Sequence, residues 1–391
     1  MLEYLARRQI RRSGYYVHSR WERVLTEIDQ RALPSLKCQV RWETNQDGER
    51  GSPVPADREG LYRVLVVGGS AAECFLLDQD SAWPSVMQQL LNAPDARRQL
   101  GATQVHVGNI GRPMIPVSGI RTMLELTLPR YERLDLAVLM VGASDATEWL
   151  ELGTPASIAP GVKHDRLFGE SPEVKLGWRP RQTALWRLAR AWRRRFSTQP
   201  RIRRNGGSRF IEMRRRRLNA KHWISKLPDP KPMLDRLEEE LTAVVRLLQA
   251  RGTRVLIVRQ PWLNRRLSHD EEALMWSFSR GRLEFEAPSD TYYTHDAVQE
   301  LLGQVDQRVT RVTRTLGVQT LDLLPLLEPS LRNYYDLLHF TPEGARQVAL
   351  HTATAVLNPA TLRTVARPEN ALRLEPAENQ TAVGAAKSER V

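Results

Sequence analysis

Residues 62–75 read YRVLVVGGSAAECF. The first six residues form an almost unbroken apolar run rich in β-branched side chains, and two glycines end it in a tight turn. A run that is apolar throughout, rather than alternating, marks a strand buried on both faces of a parallel sheet. Four further runs repeat the plan: QVHVG (104–108), DLAVLMV (135–141), RVLIVRQ (254–260) and VQTLDL (318–323). Amphipathic helical patterns separate or follow them at about 81–92, 117–131, 232–251, 296–316 and 342–357. Strands alternating with helices predict an α/β fold, a three-layer α/β/α sandwich around a five-stranded, mostly parallel sheet.

Composition sets the bounds. A chain of 391 residues with 41% hydrophobic residues has ample material for such a core. The longest apolar run, 136–143, is far too short to cross a bilayer, and the N-terminal residues lack the apolar segment of a secretory signal. A cytoplasmic protein, at most peripheral to a membrane, is therefore expected. Cys38 and Cys74 are too few for a disulfide framework. The net charge of +13 is local: residues 186–226 hold 15 of the 58 Lys and Arg and 1 of the 45 acids, leaving 43 basic against 44 acidic residues elsewhere. Basicity confined to one segment is poor evidence for nucleic acid as the partner of the whole chain.

In parallel sheets ligands bind beyond the C-terminal ends of the strands, so the residues after each run are the candidates. After the first come Gly68, Gly69 and Ser70; after the second Asn109, Ile110 and Gly111; after the third Gly142, Ala143, Ser144 and Asp145. The fifth leads to NYYDLLHFTPEG (333–344), where Thr341 can cap a helix, Pro342 suits its first turn, and His339 lies in the loop just before it. Asp336 sits three residues ahead of His339, within reach of the imidazole, as the base half of a hydrolase triad requires. Ser70 supplies a hydroxyl and a backbone N–H at the crevice; Gly111, with no side chain in the way, is the candidate for a second N–H.

At these residues the chain resembles the SGNH (GDSL-type) hydrolase superfamily. Gly68-Gly69-Ser70 stands for its G-D-S block, Asn109-Ile110-Gly111 for N-x-G, and Asp336-Leu337-Leu338-His339 for D-x-x-H. The segment ETNQDGERG (43–51) is similar to one in members found with bacterial surface-polysaccharide genes. Two positions depart from the pattern: Gly69 replaces Asp, and Ser144 replaces the Asn of G-x-N-D. The resemblance implies a flavodoxin-like fold and a serine esterase acting on an O-acyl ester, O-acetyl foremost, of a small molecule or carbohydrate. Ser70 would be the nucleophile, His339 the base and Asp336 its orienting acid, with Ser70, Gly111 and Ser144 around the oxyanion. An acyltransferase or lipid esterase with the same triad, or a catalytically weak scaffold of the same fold, are the alternatives.

Other residues have plainer readings. Trp149 and Tyr292 are candidates for stacking on a substrate ring, with ordinary packing as the alternative. His106 falls inside a strand and reads as core, Cys74 as buried filler, and His295 as a surface or cap residue. No metal-ligand or nucleotide-binding motif is present in the sequence, so neither a metal nor a cofactor is expected. The domain plan is a helix-rich extension over 1–40, the hydrolase-like domain over 41–366 and a disordered tail over 367–391. The basic segment at about 186–226 admits an anionic membrane surface, an acidic polymer, or a solvated excursion with no partner.

Overall fold

The computed structural model describes residues 1–157, 167–172, 176–197, 199–281 and 289–358; the tail expected to be disordered lies outside these residues. In chain order the first elements are α1 (Leu2–Arg12), β1 (Arg23–Ile28) and β2 (Gln39–Glu43). The first apolar run is β3 (Leu61–Gly68), followed by α2 (Ser70–Glu73), α3 (Trp83–Leu91) and α4 (Pro94–Leu100). Then come β4 (Gln104–Asn109), α5 (Val117–Thr127), β5 (Leu136–Met140) and α6 (Ala143–Glu151). The basic segment contains α7 (Ala184–Phe196), β6 (Arg201–Gly206), α8 (Ser208–Leu218) and β7 (His222–Ile224). The described residues close with α9 (Lys231–Gln249), β8 (Arg254–Arg259), α10 (His269–Glu272), β9 (Thr291–Tyr293), α11 (His295–Leu316), β10 (Gln319–Asp322) and α12 (Pro342–Leu357).

All five apolar runs enter one sheet in the order β10-β8-β5-β3-β4, every pair parallel. In order of appearance this is 2-1-3-4-5, the flavodoxin-like order, and it puts the topological switch between β3 and β5. Val64–Val67 and Leu136–Met140 are fully buried because helices cover both faces. Each Val, Leu or Met among them contributes roughly 1.5–3 kcal/mol by leaving water. On one side α3 packs on α12 and α4; on the other α9 packs on α5 and α11.

The first 40 residues are not the helix-rich extension expected from their mixed apolar stripe. Val24, Thr26 and Ile28 alternate inward, a period of two, and β1 pairs antiparallel with β2 and parallel with β6 of the basic segment. His295 is buried rather than at the surface, with Nε2 within 3.1 Å of the Arg265 carbonyl oxygen. No helix among the described residues is long and apolar enough to cross a membrane.

ETNQDGERG forms a hairpin whose Arg50 exchanges backbone hydrogen bonds with Asn109 at the outer edge of β4. Beneath it Glu49, fully buried, accepts from Arg63, Tyr131 and Asn45 and lies 3.3 Å from Nε2 of the buried core residue His106. Burial would raise its carboxyl pKa, but His106, Arg63 and Tyr131 outweigh it and hold the group well below the usual range. The neighbouring Arg50 is also buried and donates to the carbonyl oxygens of Glu73, Cys74 and Leu77. One arginine thus ties the hairpin to the end of α2, the turn that carries Ser70.

Candidate active site

β3 ends at Gly68, Gly69 caps the short α2, and Cys74 closes it in the left-handed region with its N–H on the Ser70 carbonyl. Bonding within the turn begins where Ala72 N–H meets Gly69 O, which leaves the Ser70 N–H ahead of it. Across the sheet, Asp336 Oδ1 accepts the backbone N–H groups of Leu338 and His339, each at 2.8 Å, an Asx turn that fixes the loop. Thr341 caps α12 by accepting the Gly344 N–H at 3.1 Å, as its sequence position predicts. A side chain at Gly344 would fall 2.0 Å from the Asn333 carbonyl oxygen, so glycine lets the helix close onto this loop.

The two strand ends meet. His339 Nε2 lies 2.7 Å from Ser70 Oγ, and its Nδ1 lies 2.7 Å from Asp336 Oδ2 and 2.9 Å from Oδ1. Ser70 and His339 remain partly accessible, while Asp336 is buried. Burial alone would raise the Asp336 pKa, but the His339 charge and the donors around the carboxylate hold it below its ordinary value. Burial likewise pulls the His339 pKa down, and the charge and hydrogen bond of Asp336, with a smaller push from Glu73, raise it above 6.5 instead. The result is an ionised acid facing a strengthened base.

Several neighbours had no signal in the sequence. Trp276 donates Nε1–H to Asp336 Oδ2 at 3.0 Å, across 60 residues of chain. Its ring and that of Tyr335 lie nearly parallel to the imidazole, at 12° and 10°. Phe210 of α8 stacks on Trp276 with centroids 4.7 Å apart, and Arg214 bonds the Leu274 and Ala32 carbonyls. This half of the basic segment therefore braces the site, which the solvated-excursion reading did not foresee. Glu73 is buried one turn from Ser70, and burial pushes its pKa up to about 7 against the pull of Arg112, Arg50 and His339.

Gly111 is placed against Ala72 and Glu73 of α2, and its N–H is not open. It donates to Asn109 Oδ1 at 2.8 Å, while Asn109 Nδ2 holds the Ala72 carbonyl. A Cβ on Gly111 would sit 2.6 Å from the Glu73 nitrogen, so this glycine serves close packing against α2 rather than the oxyanion role expected of it. Its carbonyl meets His18 Nε2 at 3.2 Å; burial first, then the Arg112 charge, push the His18 pKa down to about 3 and keep the ring neutral. Ser144 stands in the first turn of α6 at the facing strand end, its Oγ 2.6 Å from where a Cβ on Gly69 would stand. Gly69 and Ser144, the two departures from the family pattern, thus occupy one another's space.

Trp149 and Tyr292 are each 1% exposed, so neither offers a ring face to substrate. The Trp149 indole N–H is bonded to the Pro155 carbonyl, and Tyr292 is held in β9 against β7, with Trp223 near its ring. Cys74 is buried, as expected of filler.

No protein-family model matches the chain, and no curated protein matches it by sequence. Solved structures similar to it include the acetyl xylan esterase AlAXEase, 12% identical over 75% of this chain and 99% of that one, with a TM-score of 0.39. Axe2, an acetylxylan esterase from Geobacillus stearothermophilus, is 11% identical over 76% and 93%, TM-score 0.39. A putative lipolytic protein of the G-D-S-L family from Desulfitobacterium hafniense DCB-2 is 9% identical over 75% and 98%, TM-score 0.38. At these values the function rests on the site's own geometry.

Proposed function

We propose that the chain is a serine esterase of the SGNH type that hydrolyses an O-acyl ester, with O-acetyl groups on a carbohydrate as its substrate class. The observation that carries the proposal is the unbroken relay from Ser70 Oγ through His339 to buried Asp336 at the C-terminal edge of the sheet. His339 Nε2 takes the Ser70 proton as Oγ attacks the ester carbonyl, and Asp336 stabilises the imidazolium and holds its orientation. The Ser70 N–H and the Ser144 hydroxyl are the donors for the tetrahedral oxyanion, a smaller set than the Gly111 N–H would have made it. Collapse passes the proton from Nε2 to the departing alcohol and leaves an acyl group on Oγ. Water, deprotonated by the same nitrogen, then attacks the acyl-enzyme and releases the acid. The carbohydrate half and the O-acetyl group rest on the resemblance, the former carried by ETNQDGERG.

The test is hydrolysis of p-nitrophenyl acetate and of acetylated oligosaccharides by the wild type beside Ser70→Ala and His339→Ala. The proposal expects turnover of both substrates, lost in either variant. Turnover that survives Ser70→Ala would overturn it, and acetyl transfer to added sugar in preference to water would reassign it as an acyltransferase.

A further inference from the structure

The half of the basic segment that does not brace the site is α7. Its Leu185, Ala189, Trp192 and Phe196 recur at i, i+4, i+7 and i+11, which sets them in one stripe. The stripe faces solvent: Trp192 is 69% and Phe196 65% exposed, and their rings meet edge to face at 5.1 Å. The other side of the helix is occupied. Ala184 and Leu188 pack on Ala6 and Ile10 of α1, and Glu3 accepts the N–H groups of Ala184 and Leu185. Alongside, α1 exposes Tyr4 and Leu5, and an open groove of about 610 Å³ runs between Gln9, Trp21, Leu188 and Trp192. Trp178, 81% exposed, lies under the Arg7 guanidinium beside the same pair of helices.

Charge indicates what meets this stripe. α1 and α7 carry nine arginines and a single acid, Glu3, whose carboxylate is already spent on the first turn of α7. Arg190 and Arg193 are exposed beside the aromatic stripe. Glu170, the acid that packs against α7, pairs with Arg194 at 3.5 Å on the side turned to the body. Aromatic and leucine side chains standing out from a helix, flanked by the exposed Arg190 and Arg193, match the interfacial layer of an anionic bilayer. A single-stranded nucleic acid would call for ring faces laid open for stacking, whereas Trp192 and Phe196 set an edge against a face.

We propose that the paired helices α1 and α7 dock the protein on an anionic lipid surface, with Leu185, Trp192 and Phe196 entering the headgroup–acyl boundary and Arg190 and Arg193 on lipid phosphates. The inference is independent of the esterase proposal. The test is co-sedimentation of the full chain with phosphatidylcholine vesicles with and without phosphatidylglycerol, at low and high salt. Brominated acyl chains report the depth of tryptophan by quenching. Binding is expected only with phosphatidylglycerol and is lost at high salt. Trp192→Ala with Phe196→Ala weakens it by at least about tenfold, and Arg190→Gln and Arg193→Gln by about fivefold each. Trp192→Phe loses a share of the quenching, and thermal unfolding midpoints stay at the wild-type value. No binding at low salt, equal binding to neutral vesicles, or binding indifferent to the aromatic pair would each overturn the proposal. So would displacement from vesicles by dextran sulfate or single-stranded DNA at matched charge, which would make the surface a polyanion site.

Discussion

Replacing Asp336 by Asn keeps the shape of the site but inverts its proton logic, and the structure says which way the amide must turn. Oδ1 accepts two backbone N–H groups at 2.8 Å, so the amide oxygen is held there. The amide nitrogen then takes the Oδ2 place, facing Trp276 Nε1–H at 3.0 Å and His339 Nδ1 at 2.7 Å. An N–H at that distance requires Nδ1 to accept, which moves the imidazole proton to Nε2 and leaves no lone pair for the Ser70 hydroxyl. The expected loss in kcat/KM is about 10⁴-fold, the size of the wrong-tautomer effect in serine hydrolase triads, or roughly 5.5 kcal/mol of barrier. Two buried donors also oppose each other at Trp276, at a cost of about 1–3 kcal/mol in stability. Trp276→Phe removes one donor and keeps a ring between Phe210 and His339, so the double variant should be more stable than Asp336→Asn alone and equally inactive. Steady-state hydrolysis of p-nitrophenyl acetate and urea midpoints measure both effects. An Asn variant keeping more than about a tenth of wild-type activity, or activity rescued by Trp276→Phe, would refute the assignment of Asp336 as the residue that sets the tautomer.

The base works only when neutral, and the His339 pKa is raised above 6.5, so the acid limb of kcat/KM should lie above that of a free imidazole. The negative charge of Glu73 adds to that rise, so Glu73→Gln should move this acid limb to lower pH in a pH–rate profile; an unmoved limb would show the two groups uncoupled. Gly111→Ala forces a methyl against the backbone of α2 and should cost roughly 1–3 kcal/mol in stability by denaturant titration and about 10²-fold in kcat through a displaced Ser70. Glu49→Gln leaves Arg63 with Asp47 as its remaining ion-pair partner and breaks a buried pair, for an expected loss of about 3–5 kcal/mol by the same titration. Ser144→Ala should lower kcat by about 10²-fold with KM little changed, and equal loss in both would place Ser144 outside the oxyanion site.

The sheet was legible because its central strands β3, β5 and β8 are buried on both faces and the helices between them keep a clean 3.6-residue period. β3 and β5 differ from the predicted runs by one residue at each end. That Ser70, Asp336 and His339 meet was legible for a related reason: parallel topology sends all three to one edge, and Asp336 and His339 lie within one loop. α4 was missed because Ala96 is its one buried residue, and β1 because six residues of alternation were absorbed into a longer helical stripe. Trp276 and Phe210 could not be read at all, since their roles arise from contacts across 60 residues or more with no local pattern. Gly111 was misassigned because sequence shows that a glycine lacks a side chain but not that a neighbouring Asn109 has taken its N–H. Trp149 and Tyr292 show the same limit, as residue type does not tell a ligand-facing ring from a packed one.

The central claim is that Ser70 is a nucleophile activated by His339. The most direct measurement is intact mass and peptide mapping after exposure to a fluorophosphonate, on the wild type, Ser70→Ala and His339→Ala. The account predicts one phosphonyl adduct per chain, mapped to Ser70, absent from Ser70→Ala and formed far more slowly in His339→Ala. No adduct on the folded wild type, or an adduct on another residue, would contradict it.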